Sequence, residues 1–187
     1  MAFAIWITGL PGSGKSTIAK ELLKLLDKNK IKAEILRLDK IRKKYAPKPR
    51  YTDKERDFVY RKFVDEGFRL VKKNKNTIYD ATAHKKKYRD YARKNIKNFI
   101  EVYVKCTLDV CIKRESKRKA GLVMANMYKK ALERKKSKKK YPKLGQVIGV
   151  DVPYEENKGA EVKINSNKIR PKQAARIILE NVNKRKY

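Results

Sequence analysis

The sequence predicts an α/β protein with three layers, α/β/α, around an open, mostly parallel sheet of five strands. Short apolar runs alternate along the chain with segments whose apolar residues recur at helical spacing, and a glycine-rich turn joins the first such pair. This alternation is typical of a parallel sheet with helices on both faces, because parallel strands need long crossover connections. At 187 residues, the chain is long enough for one such domain, and we expect a single domain over residues 1–187.

The first half of the chain predicts two strands and two helices. An uninterrupted apolar run, Phe3 to Thr8, suits a strand buried on both faces of the sheet. Ser16 to Lys30 predicts an amphipathic helix, and Ala33 to Leu38 a second strand. Two prolines predict a loop over Tyr45 to Tyr51, and a long helix follows over Asp53 to Lys73, with its first residue as the cap.

The second half continues the alternation and ends in a helix. The predicted elements are a strand at Thr77 to Tyr79, a helix at Tyr88 to Lys97, a strand at Phe99 to Val104, helices at Leu108 to Lys117 and Met124 to Arg134, a strand at Glu161 to Ile164 and a helix at Pro171 to Asn183. Proline suits the first turn of that last helix, since its missing N–H would be unpaired there in any case. The stretch from Arg134 to Asn157 is predicted to be irregular.

Charge is the most unusual feature of the composition. Lys and Arg number 52 against 20 Asp and Glu, which gives a net charge of +32. Such a surface attracts polyanions, so a nucleic-acid partner stays open, although bulk charge indicates only non-specific binding. Arg134 to Lys143 holds seven basic residues in ten positions, which predicts a solvated loop or, alternatively, a lid that grips substrate. We place a basic, lid-like segment around residues 118–157.

The two cysteines and the absence of targeting signals indicate a reducing compartment. Cys106 and Cys111 have neither zinc-type pairing nor the density of a secreted disulfide scaffold, so we expect structural thiols in a reducing environment. Apolar runs stay below 18 residues, and the N-terminus lacks a signal peptide. We therefore expect a cytoplasmic protein without a membrane segment, whose oligomeric state the sequence leaves open.

A phosphate-binding loop is the strongest motif. Gly9 to Ser16 reads GLPGSGKS, fits the pattern G-x-x-x-x-G-K-[ST], and lies between a predicted strand and a predicted helix. Glycines let backbone N–H groups point inward around an anion, and the helix adds the positive end of its dipole. Lys15 is expected to reach the β- and γ-phosphates of ATP, and Ser16 to hold Mg²⁺. The predicted phosphate-binding residues are Gly9, Leu10, Pro11, Gly12, Ser13, Gly14, Lys15, Ser16 and Thr17.

The size of the chain narrows the function of this loop. A chain of 187 residues leaves little room for GTPase switch regions or the second domain of a motor, and the sequence has no Asn-Lys-x-Asp guanine motif. A small phosphotransferase is therefore the preferred interpretation. A nucleotide-binding regulator without catalysis stays an alternative.

Acidic residues follow two of the predicted strands, at the edge where α/β sheets bind ligands. Asp39 is the candidate to orient an acceptor hydroxyl and take its proton, and a helix cap is the alternative. Arg42, one helical turn on, is expected to clamp an anionic part of the acceptor, so that Asp39, Lys15 and Arg42 form the predicted catalytic set. Asp80 is a candidate Mg²⁺ ligand or a strand-end cap. His84 lies among lysines and is expected to be a plain surface residue.

The order of these features resembles the adenylylsulfate kinase family of P-loop kinases over most of the chain. Besides the phosphate-binding loop and the Asp39-x-x-Arg42 pair, the resemblance rests on Arg56 and on three later blocks. The blocks are FIEVYVKCTLDVCIKRE at Phe99 to Glu115, MYKKA at Met127 to Ala131 and GVDVPYE at Gly149 to Glu155. The resemblance implies a nucleoside-monophosphate-kinase-like fold, ATP with Mg²⁺ as donor, and phosphorylation of the 3′-hydroxyl of adenylylsulfate.

The resemblance also implies an acceptor site. Arg42 and Arg56 would meet the acceptor, and Lys129 and Lys130 would lie in a lid over the phosphates. Tyr51 is our own candidate for a stacking face, in place of the family aromatic residue that is missing here.

The sequence departs from the family pattern around the acceptor. Arg37-Leu38-Asp39 stands where family members have Asp-Gly-Asp, Val147 where they have an aromatic residue, Val59 where they have Asn, and Asp80 to Lys85 where they have Ser-Phe-Ile-Ser-Pro-Tyr. An Asp-x-Thr strand end together with Asp-x-x-Arg also resembles small kinases that act on polynucleotide ends or other metabolites. An RNA or another metabolite hydroxyl is therefore the alternative acceptor.

Overall fold

A computed structural model, which describes residues 1–118, 124–137, 139–142 and 144–185, shows one sheet of five parallel strands. The strands are β1 Ala4–Thr8, β2 Ala33–Arg37, β3 Asn76–Asp80, β4 Phe99–Lys105 and β5 Val162–Asn165. Their order is β2-β3-β1-β4-β5, and every neighbouring pair is parallel. The predicted open, parallel α/β sheet is confirmed.

Seven helices lie within the described residues and pack on both faces of the sheet. They are α1 Lys15–Lys28, α2 Leu38–Tyr45, α3 Asp53–Lys72, α4 Lys86–Asn95, α5 Leu108–Ser116, α6 Met127–Ser137 and α7 Pro171–Lys184. The sequence predicts six of them to within a few residues. It expects a helical turn at Asp39 to Arg42 but does not predict the bounds of α2, because Leu38 and Ile41 are the only buried residues of that helix and leave no visible apolar period. None of the described helices is long and apolar enough to cross a membrane.

The central strand β1 is buried on both faces, as its unbroken apolar run predicts. Ile5 and Ile7 pack into the cluster formed with α1 and α7, whereas Trp6 packs into the cluster formed with α3 and α4. The Trp6 ring stacks on Tyr79 of β3 at 4.9 Å, and its Nε1–H donates to the carbonyl of Ala81 at 3.1 Å. The core thereby fixes the start of the segment that follows β3.

The predicted cap of α3 is wrong, and so is the alternative interpretation of Asp39 as a helix cap. Thr52 caps α3, since its Oγ1 accepts from the N–H of Glu55 at 3.3 Å, while Asp53 lies in the first turn and pairs with Lys85 at 2.9 Å. The residue at the N-cap of α2 is Arg37, so Asp39 lies inside the first turn and is not the cap. The Asp39 side chain is therefore not used to cap its own helix.

The basic run is only partly a loop, and part of it has defined partners. Residues 134–137 form the last turn of α6, and Lys138 and Lys143 lie outside the described residues. Arg134 donates to the carbonyls of Leu144 and Gly145 and to the carboxylate of Asp151, the last at 2.7 Å. The expectation of a solvated loop is wrong for Arg134, because these acceptors tie α6 to residues 144–151.

Candidate active site

A cavity of ≈ 520 Å³ opens at the carboxyl edge of the sheet. Its walls come from the phosphate-binding loop, the first turns of α2, the start of α3, the segment after β3, the end of α5 and residues 144–148. Ligand sites in open parallel sheets form at this edge, because loops from separate strands meet there. The cavity brings together most of the residues that the sequence singles out.

The phosphate-binding loop has the backbone conformation that its glycines predict. Gly9, Gly12 and Gly14 all have positive φ, at 141°, 82° and 97°. A Cβ at Gly9 would lie 2.4 Å from the carbonyl oxygen of Val104, and one at Gly12 would lie 2.4 Å from that of Cys111. Both positions need glycine for the conformation and for the close approach of neighbouring backbone.

Lys15 follows this loop at the start of α1 and is buried. Its Nζ donates to the carbonyl oxygen of Leu10 at 2.8 Å, across the loop. Burial lowers the pKa of Lys15 to about 8, although the carboxylates of Asp80 and Asp39 act in the opposite direction. An anion held by the loop would raise this pKa, since it would stabilise the ammonium form.

The two predicted magnesium ligands, Ser16 and Asp80, both line the cavity. The Arg37 guanidinium lies 3.7 Å from the Asp80 carboxylate. Burial raises the pKa of Asp80, and Lys15, Ser16 and Arg37 oppose that rise. No cluster of three or more His, Cys, Asp or Glu suited to a metal occurs in the described part of the chain. This small donor set fits Mg²⁺, which keeps several waters and binds phosphate oxygens.

Three of the predicted acceptor residues form one wall. The Arg42 guanidinium lies 5.0 Å above the ring centre of Tyr51 and 3.3 Å from the Glu55 carboxylate. Arg56 is 3% exposed and donates through Nη2 to the carbonyl of Gln146 at 2.6 Å. The half-buried Asp39 also lines the cavity, and its charge acts on Lys15 of the phosphate-binding loop. An acceptor on this wall would meet one carboxylate and two guanidinium groups.

Lys129 and Lys130 are not among the residues that line the cavity. Lys129 is exposed, and the Lys130 Nζ donates to the carbonyl of Ala125 at 3.1 Å. Helix α6 itself is fixed to the phosphate-binding loop, because the Tyr128 hydroxyl donates to the carbonyl of Pro11 at 2.9 Å. The structure thus brings α6 to the loop without directing these two lysines into the cavity.

His84 is buried and lines the cavity, so the prediction of a surface residue is wrong. It is 2% exposed, its ring lies 5.8 Å from that of Tyr88, and its carbonyl accepts from the N–H of Glu155 at 2.7 Å. Burial lowers the pKa of His84 to about 4, and the charges of Arg56 and Lys85 act in the same direction. These contacts join residues far apart in sequence, so the lysine-rich local sequence does not indicate them.

Sequence reasoning also misses other residues of the lining. Those it does not single out include Tyr60, Arg114, Arg118 and Gln146. Arg114 donates to the carbonyl of Ser166 at 2.7 Å. It lies next to the phosphate-binding loop, with its Nη1 at 3.5 Å from the backbone carbonyl oxygen of Ser13. Among 52 basic residues, no charge signal separates these two arginines from surface ones.

Comparison with known proteins gives consistent results. The family described as adenylylsulphate kinase matches residues 1–165. A probable adenylyl-sulfate kinase of Archaeoglobus fulgidus is 34% identical over 168 residues, which is 90% of this chain and 98% of that one. A probable adenylyl-sulfate kinase of Pyrococcus abyssi is 33% identical over 177 residues, or 95% of this chain and 92% of that one.

Solved structures show the same fold. The APS kinase CysC of Mycobacterium tuberculosis, in complex with AMPPNP and APS, superposes with a TM-score of 0.80 at 21% identity, over 97% of this chain and 98% of that one. A sugar kinase from a Janibacter species gives a TM-score of 0.69 at 18% identity, over 98% and 95% of the two chains. At these identities the likeness shows the fold alone.

Proposed function

The chain belongs to the adenylylsulphate kinase family, and from this premise we propose that it transfers the γ-phosphoryl group of ATP to the 3′-hydroxyl of adenylylsulfate. One observation carries the proposal beyond family membership. A single cavity joins the phosphate-binding loop to a wall that carries Asp39, Arg42, Tyr51 and Arg56. Donor and acceptor would therefore meet in one site, as in-line transfer requires.

The donor phosphates would lie in the phosphate-binding loop. Backbone N–H groups of the loop and the positive end of α1 favour an anion there, and Lys15 adds a charge beside the β- and γ-phosphates. Ser16 and Asp80 would hold Mg²⁺, directly or through water. When bound, Mg²⁺ neutralises charge that develops on the β- and γ-phosphate oxygens.

Asp39 would orient the acceptor hydroxyl and take its proton. It lies in the first turn of α2, lines the cavity, and has Lys15 and Asp80 among its charged neighbours. Arg42, one turn later on the same helix face, would hold the acceptor by its anionic part. Tyr51 would supply a stacking face, and Arg56 a second guanidinium. Lys129 and Lys130 would contribute only after a movement of their side chains, since they do not line the cavity.

The experiment is an assay of ADP release with purified protein, ATP, Mg²⁺ and adenylylsulfate. We expect ADP to form only when adenylylsulfate is present. Lys15→Ala should abolish turnover, whereas Lys20→Ala, an exposed position on the same helix, should leave it unchanged. A rate with adenylylsulfate that stays at the background level would overturn the proposed acceptor.

A polynucleotide acceptor is the second candidate, and the net charge of +32 is the observation that favours it. Phosphate contacts made by such a surface weaken steeply with salt. The same assay with RNA in place of adenylylsulfate distinguishes the two: RNA-dependent ADP release would support the alternative, and binding without turnover would leave RNA as a non-specific polyanion.

We also propose a cytoplasmic location, which the two buried free cysteines support.

A further inference from the structure

We propose that His84 is a specificity-determining residue of the acceptor site, where its ring N–H and the Nη1 group of Arg56 together bind an anionic oxygen of the acceptor. The proposal rests on the proposed function, because it assigns a partner to the sulfate or phosphate of a nucleotide bound in the cavity. It concerns a residue that departs from the family pattern at the segment Asp80 to Lys85.

The first observation is that His84 and Arg56 carry buried polar atoms without partners. His84 is 2% exposed and Arg56 3% exposed, and both line the cavity. Within the described ranges, three of these atoms have no hydrogen-bond partner: Nδ1 and Nε2 of His84 and Nη1 of Arg56. Nη2 of Arg56 has one, the carbonyl of Gln146. Buried polar groups are nearly always paired, and because these three atoms have no protein partner they are available to a ligand in the cavity.

The second observation is that the backbone around His84 is fixed on every side. Trp6 donates to the Ala81 carbonyl at 3.1 Å, and Thr8 to the Thr82 carbonyl at 2.5 Å. The Ala83 N–H donates to the Tyr60 hydroxyl at 2.8 Å, and the Ala83 carbonyl accepts from Arg89. The His84 carbonyl accepts from the N–H of Glu155 at 2.7 Å. These contacts hold Ala83 at a φ of +44°, a conformation that costs energy for any residue except glycine. The backbone that carries the imidazole is therefore fixed, and the buried ring itself lies 5.8 Å from the ring of Tyr88.

The third observation concerns charge. A lowered pKa leaves the His84 ring neutral at pH 7, with one N–H donor and one acceptor nitrogen, while Arg56 supplies a permanent positive charge. The carboxylates on that side are occupied, because Asp53 pairs with Lys85 at 2.9 Å and Glu155 accepts from the N–H of Lys86 at 2.6 Å. Arg56 forms no direct ion pair within the described residues, although the charge of Asp53 lies near it, and a donor beside such a guanidinium favours an anion.

Because His84 is the only histidine, imidazole ¹⁵N resonances of the labelled protein report on this ring alone. We would record them at pH 7 with ADP and Mg²⁺, which cannot donate a phosphoryl group, and then add adenosine, AMP or adenylylsulfate. We expect a neutral ring throughout, shifts on addition of AMP and adenylylsulfate, and no shift with adenosine or with ADP alone.

Variants give an independent readout. His84→Phe keeps a ring beside Tyr88 and removes both nitrogens, and we expect it to raise the KM for adenylylsulfate about 10- to 100-fold while the KM for ATP changes less than about twofold. His84→Gln retains a donor and should recover most of the loss. Tyr88→Phe, which alters the neighbouring ring outside the cavity lining, is the matched control and should leave both KM values unchanged.

The outcomes separate this inference from the proposed function. Turnover of adenylylsulfate by the wild-type protein with unmoved imidazole resonances would overturn the role of His84 and leave the function standing. If the resonances move with AMP but adenylylsulfate is not turned over, the anion contact of His84 stands and adenylylsulfate is rejected as the acceptor. Equal shifts with adenosine would overturn the anion contact, and neither shift nor turnover would overturn both. The spectra use wild-type protein, so they decide the matter even if His84→Phe fails to fold.

Discussion

Lys15 and Asp80, at the ends of two separate elements, stabilise each other's charge in the floor of the cavity. Each is 8% exposed, burial disfavours the charged form of both, and the attraction between them opposes that effect. Register explains the proximity: Ile7 of β1 pairs with Asp80 of β3, so both strands end side by side at the phosphate-binding loop. This pair would organise the donor side of the proposed reaction.

Nucleotide binding should take up protons near pH 8. Lys15, with a pKa of about 8, is half deprotonated there, and the charge of a triphosphate raises its pKa, so binding restores the proton. Titration calorimetry of ATP with Mg²⁺ in two buffers of different ionisation enthalpy should show uptake of up to about half a proton at pH 8. The uptake should be small at pH 7 and absent in Lys15→Arg, whose guanidinium stays charged. Equal uptake in that variant would show that another group is responsible.

Asp39→Asn should lower kcat by about 10²- to 10⁴-fold, the usual contribution of a general base. The KM for ATP should change little, because the phosphate-binding loop is intact. Steady-state ADP release measures both. Asp27→Asn, at an exposed position on α1, is the control and should behave as wild type. If Asp39→Asn and the wild type have the same low rate, the chain is a nucleotide-binding regulator and not a kinase.

His84 should make the fold sensitive to acid. Its pKa is about 4 in the folded state against 6.5 for an exposed histidine, so the unfolded chain binds more protons between these values. The contribution of the neutral His84 ring to the free energy of unfolding is therefore complete above pH 6.5 and is lost as the pH falls toward 4. Urea unfolding at pH 7 and pH 4 should show a loss about 3 kcal/mol smaller in His84→Gln than in wild type. Identical losses would mean that the ring is solvated.

The buried pair of Arg89 and Glu101 should be important for stability. Both side chains are fully buried, with Arg89 Nε 2.8 Å from the Glu101 carboxylate, and Arg89 also donates to the carbonyls of Ala83 and Glu155. Arg89→Met would remove the closest cation from the carboxylate, which keeps Asn157 and Arg93 as partners, and would remove the donor to both carbonyls. It should cost about 3–5 kcal/mol in the free energy of unfolding. Lys86→Met, an exposed change on the same helix, should cost far less. A small effect of Arg89→Met would mean that water replaces the guanidinium.

Local spacing predicts the elements of the fold and the donor side of the site. The phosphate-binding loop, the strand before it and the helix after it are contiguous, so Gly12, Gly14, Lys15 and Ser16 are determined by one short segment. Asp39 and Asp80 are predicted because parallel strands end at a common edge. These inferences need only periodicity, glycine conformation and the direction of the strands.

Tertiary structure alone decides which other side chains reach the cavity. His84 is buried by contacts with Glu155 and Tyr88, Arg114 lies beside Ser13 a hundred residues earlier, and Thr52 rather than Asp53 caps α3. In a chain with 52 basic residues, a lysine or arginine in the site has the same local sequence signature as one on the surface. The sequence by itself determined the succession of strands and helices along the chain and the phosphate-binding loop, because these depend on local spacing. Packing between distant segments decided which side chains are buried, and burial lowers the pKa of His84 and so keeps its ring neutral.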